Sequence, residues 1–80
     1  MTREETTAWN KVNDYAPARH GYSVVSMDPH VNVGYTIKLN QLGASAQPRH
    51  ITIFLNLFRS IITSDELPET VKRNMDTVVQ

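Results

Sequence analysis

From Val31 to Leu39 apolar and polar residues alternate without interruption, with Val31, Val33, Tyr35, Ile37 and Leu39 set against Asn32, Gly34, Thr36 and Lys38. Successive side chains of a strand point to opposite faces, so this stretch predicts a half-buried β-strand. A shorter run, Tyr22-Ser23-Val24-Val25-Ser26-Met27, precedes it and ends at Asp28-Pro29-His30. Asp-Pro favours a turn, because the aspartate bonds nearby amides and the proline presets its backbone angle. Residues 22 to 39 therefore predict an antiparallel hairpin turning at Asp28-Pro29.

Helical spacing appears at both ends. Thr2 and Glu5 form the pattern of a capping box, and Ala8, Trp9, Val12, Tyr15 and Ala16 follow on one face. Pro17 disfavours helical geometry in the residue before it, so the first helix is expected over residues 3 to 15. Near the other end Leu67, Val71, Met75 and Val78 recur at helical intervals behind Pro68, predicting a final amphipathic helix with Glu69, Lys72, Arg73 and Asp76 in water.

The middle of the chain carries two patterns at once. Ile51, Ile53, Leu55 and Leu57 alternate as in a strand, whereas Ile51, Phe54, Leu55, Phe58, Ile61 and Ile62 make a helical stripe. The greater length of the stripe and Pro48 before it favour a helix from about 49 to 62, with a third strand at 50 to 57 as the alternative. Residues 40 to 48, small and polar, read as a mobile loop. The expected fold is α+β, a small antiparallel hairpin sheet packed against helices in the order α-β-β-α-α. Its expected core is Trp9, Val33, Tyr35, Ile37, Phe54, Leu55, Phe58 and Ile62, buried within the domain or at an oligomer interface.

Eighty residues make one domain, residues 1–80, whose thin core leaves little room for a large cleft. Eight basic and eight acidic residues cancel, which argues against a general nucleic-acid binder. The chain has no cysteine, which removes disulfides, thiolate zinc sites and cysteine nucleophiles. Met-Thr-Arg-Glu-Glu is too charged for a signal peptide and no apolar run is long enough for a membrane span, so a cytoplasmic location without membrane contact is expected.

His20, His30 and His50 lack the spacing of a metal site, and no Gly-x-Ser-x-Gly context singles out a nucleophile. No metal, cofactor or enzymatic activity is expected. The polar feature with most to offer is the repeated Arg-His pair. Arg49 and His50 would open the central helix, where an anion bound to the free amides would offset their charge. With Arg19, His20 and Lys38 they would form a cationic binding patch, weighed against ordinary solvated charge. The expected function is a small non-catalytic protein-binding module, an inhibitor or regulator of the kind that phages and mobile elements direct at host proteins. That comparison rests on size and plainness alone. A homodimer or an obligate partner is expected, with the central helix or the strand at 31 to 39 at the contact, because a two-stranded sheet and a helix apolar on several faces need cover. The alternative is a nucleic-acid-associated factor using the same basic residues.

Overall fold

The structure is a computed structural model that describes residues 1–41 and 47–79, the side chains of 17–20 excepted. Its elements run α1 (Arg3–His20), β1 (Tyr22–His30), β2 (Gly34–Gln41), β3 (Arg49–Phe54), α2 (Leu55–Thr63) and α3 (Glu69–Val79). The three strands form one antiparallel sheet in the order β1-β2-β3. The fold is α+β, with one strand more than the sequence pattern suggested. Most of the expected loop at 40–48 lies outside the described residues, although Asn40 and Gln41 belong to β2.

The capping box forms at the start of α1. The Thr2 amide donates to Glu5 Oε1 at 2.9 Å and the Glu5 amide to Thr2 Oγ1 at 3.1 Å, satisfying two orphan donors. The helix does not stop before Pro17 but runs on to His20. A proline inside a helix deprives one carbonyl of its donor, a finite cost that packing can offset. Here Ala16 stays buried in the core, and Gly21, with φ 74°, supplies the left-handed residue that ends the helix.

The hairpin forms, but its turn is displaced from the expected place. Asp28 and Pro29 lie within β1, opposite Thr36 and Tyr35, and the chain reverses over residues 31 to 33. The Val33 amide donates to the His30 carbonyl at 3.0 Å, and Asn32 takes the positive φ of 63° that the reversal needs. Pro29 is tolerated in a strand because its missing N–H falls on the outer edge of β1.

The ambiguous stretch resolves into both of its patterns in succession. Residues 49–54 pair with β2 as a strand, Ile51 opposite Ile37 and Ile53 opposite Tyr35, and α2 begins at the next residue. The expected helix over 49–62 is thus corrected to a strand followed by a shorter helix. Phe54 at the junction provides no side-chain cap, and the first amide of α2, that of Leu55, instead donates to the Val33 carbonyl at 3.0 Å.

One face of the sheet is buried against the helices. Ile37, Leu39 and Ile53 from the strands meet Val12 of α1, Ile61 of α2, and Val71 and Met75 of α3, all of them essentially inaccessible. Trp9, Tyr35, Phe58 and Ile62 pack around this cluster half-buried. Val33, Phe54 and Leu55 leave the expected core and face solvent: Val33 and Leu55 lie just past the last strand pair, and Phe54, opposite Gly34, falls on the open face with Thr52. Lys11 links α1 to the end of α2, its Nζ donating to the carbonyls of Ile61 at 2.7 Å and Ser64 at 2.5 Å. Tyr15 of α1 reaches α3, donating to the Asp76 carboxylate.

Candidate interaction surfaces

Three surfaces follow from this arrangement: an apolar end, an open sheet face and an exposed strand edge. The apolar end arises where the β1–β2 turn meets the β3–α2 junction. Gly34 pairs with Phe54 at φ 152°, and a Cβ there would lie 2.0 Å from the Ile53 carbonyl oxygen, so only glycine allows the two segments to approach. The Leu55–Val33 backbone bond fixes them together. Around this joint Val31, Val33, Phe54 and Leu55 stand 87, 47, 58 and 47 % exposed. Singly exposed apolar residues are ordinary, whereas a large contiguous apolar patch marks a contact surface.

The open face of the sheet is mainly polar. Register places Ser26, Lys38 and His50 in one row across the strands, and Asp28, Thr36 and Thr52 in the next. His30 Nε2 and Thr36 Oγ1 are 2.7 Å apart, and Ser26 Oγ donates to Asp28 Oδ2 at 3.3 Å.

This register decides how the expected basic patch is built. Lys38 and His50 are cross-strand neighbours on the open face. Arg49, opposite Leu39, is exposed at the end of the strand and belongs to the other face. Arg49 and His50 open a strand rather than a helix, so the expected anion site at a helix N-terminus is not formed. Arg19 and His20 end α1, and their side chains lie outside the described residues. Among the described side chains, the structure brings Lys38 and His50 together and sets Arg49 on the other face.

The two edges of the sheet differ. On β1 a bulge interrupts pairing between Val24 and Ser26, and the outward Val24 amide donates to Asn13 Oδ1 of α1 at 2.8 Å. On β3 the pairing of Leu55 with Val33 sets the hydrogen-bond phase, which turns the backbone groups of His50 and Thr52 outward. Beside them a groove of about 250 Å³ runs between β3 and α3, lined by His50, Ile51, Thr52, Asn74, Thr77 and Val78. No sequence pattern announced this groove, which depends on α3 packing against a strand that the helical stripe concealed.

Glu5 and Tyr35 tie the sheet to α1, with the Tyr35 hydroxyl donating to Glu5 Oε2 at 2.9 Å. The Thr2 amide, and after it the Tyr35 hydroxyl, hold the Glu5 carboxyl below its ordinary value. Burial, and then the Glu5 carboxylate, push the Tyr35 phenol up.

Among the described residues no group of three or more His, Asp or Glu side chains is placed to hold a metal ion, and no helix is long and apolar enough to cross a membrane. Compared with protein-family models, with curated proteins and with solved structures, the chain matches none.

Proposed function

We propose that this chain is a small non-catalytic protein-binding module, acting as a regulator or inhibitor by contact, with its apolar end as the contact surface. The observation that carries this reading is the exposure of Val31, Val33, Phe54 and Leu55 around the Gly34–Phe54 joint. A surface fixed before binding loses little conformational entropy on association, and apolar side chains gathered on it supply the burial that drives contact. The zero net charge suits a mixed protein interface better than a polyanion.

The test is affinity capture from lysate of the encoding organism with the wild-type chain and with a Val33→Ser/Phe54→Ser variant. A protein retained by the first and lost by the second, with unchanged circular dichroism and melting temperature, supports the reading. Equal retention by both variants moves the contact elsewhere.

A nucleic-acid-associated role is the second reading, and the adjacency of Lys38 and His50 on the open face favours it. Phosphate contacts would give affinity for single-stranded RNA that falls steeply with salt and weakens in a Lys38→Ala/His50→Ala variant. A homodimer is a further reading: the third strand and the shorter central helix leave less surface to cover, but the sheet still has two edges. Light scattering on the purified chain reads the oligomeric state directly.

A further inference from the structure

An unpaired strand edge is a template for another strand, and proteins ordinarily blunt it with a bulge, a proline, a charge or a cover. The β1 edge has three such devices: the bulge at Val24/Ser26, Pro29, and the Asn13 side chain on the Val24 amide. The β3 edge has no bulge or proline, and its central residues, Ile51, Thr52 and Ile53, are β-branched. The groove beside it is walled on the far side by Asn74, Thr77 and Val78 of α3. An open edge flanked by a helix is the geometry in which an extended peptide completes a sheet.

We infer that the β3 edge and the β3–α3 groove form a docking site for an extended acidic segment of a partner protein, which joins the sheet as a fourth strand. The outward amides and carbonyls of His50 and Thr52 supply its main-chain hydrogen bonds. Side chains of the added strand alternate between two surroundings. Those turned towards α3 meet Ile51 and Val78, which fit a medium apolar residue, and those turned the other way lie beside His50, next to Lys38.

Two exposed arginines flank the groove. Arg49 and His50 lie on β3, and Arg73 is exposed one helical turn before Thr77. The Asp76 carboxylate accepts from Tyr15 of α1, and Glu69 lies about two turns before Thr77. A second copy would bring its own α3 beside its β3, whereas a lone extended chain brings no helix to the groove. This site is independent of the apolar end, and its test reads different residues, so either proposal can fail alone.

The probe is a capped peptide of alternating glutamate and valine, six residues long, titrated into isotopically labelled full-length chain and followed by NMR amide shifts. Shifts concentrated at His50, Thr52, Asn74 and Thr77, absent with an alternating lysine-valine peptide, are expected. Thr52→Pro removes an outward N–H at an edge position that tolerates proline, and should weaken binding roughly tenfold with circular dichroism unchanged. Thr77→Asp, which places a negative charge on the groove wall, should have the same effect and serves if Thr52→Pro does not fold. Shifts elsewhere, no shifts at millimolar peptide, equal binding of the lysine peptide, or unchanged affinity in the folded variants would overturn the proposal. Concentration-dependent dimerisation with protection of β3 amides in the absence of peptide would overturn it in favour of an interface between copies.

Discussion

Tyr35 in the middle strand donates its phenolic proton to Glu5, the same carboxylate that closes the capping box of the first helix. One side chain thus completes a helix start and anchors that helix to the sheet. Because Glu5 titrates below its ordinary value of 4.5, its contribution is complete above that pH and is lost as pH falls through the lower folded value. Tyr35 titrates above its ordinary value of 10.0, so its contribution is intact below that pH and is lost as pH rises further. Tyr35→Phe should cost about 1 kcal/mol at neutral pH and flatten the alkaline limb of the stability profile, and Glu5→Gln should flatten the acid limb. Urea denaturation across pH, with both variants, measures each effect.

Gly34→Ala should be severely destabilising, by about 3 kcal/mol or more, because the new methyl meets the Ile53 carbonyl and the backbone there has φ 152°. Gly21→Ala should cost less, about 1 kcal/mol, since it strains a positive φ but meets no atom within 4 Å. Thermal melts of the two variants side by side would show whether close approach or backbone angle dominates.

The two phenylalanines should behave differently. Phe58 stacks on Tyr35 with ring centroids 4.4 Å apart, so Phe58→Ala should cost about 2 to 4 kcal/mol. Phe54 is more than half exposed, and Phe54→Ala should cost less than about 1 kcal/mol while weakening partner binding. Equal losses of stability would place Phe54 in the core after all.

Lys11→Met should lower stability by about 2 kcal/mol, because one of the two carbonyls its ammonium group meets belongs to the buried Ile61. Methionine keeps most of the aliphatic stem but leaves the Ile61 and Ser64 carbonyls without their charged donor. Hydrogen exchange should then rise selectively in the last turn of α2.

Features written in local chemistry were legible in the sequence. The Thr2–Glu5 box, the apolar face of α1, the hairpin and the last helix each depend on residues a few positions apart. The turn was misplaced because Asp28-Pro29 has strong intrinsic turn chemistry, yet the register that buries Met27 opposite Ile37 carries the strand beyond it. The interval from Arg49 to Thr63 was opaque for a different reason. A strand passes into a helix between Phe54 and Leu55 with no glycine or proline to mark the change, so two periodicities overlap. The faces of Arg49 and His50 were opaque with it, since they depend on which period holds, and the strand sets the two on opposite faces of the sheet.

The hydrogen bond from the Val24 amide to Asn13 also sets a limit on growth. Ordered fibrils need two live edges on every subunit, one to receive and one to offer. With the β1 edge blunted by its bulge, Pro29 and the Asn13 side chain, and the β3 edge open among the described residues, each molecule is monovalent towards strand addition. Edge-to-edge association among such molecules ends at a pair, so the asymmetry acts as a chain stop, and Asn13→Ala should be read in a fibrillation assay as well as in a melting curve.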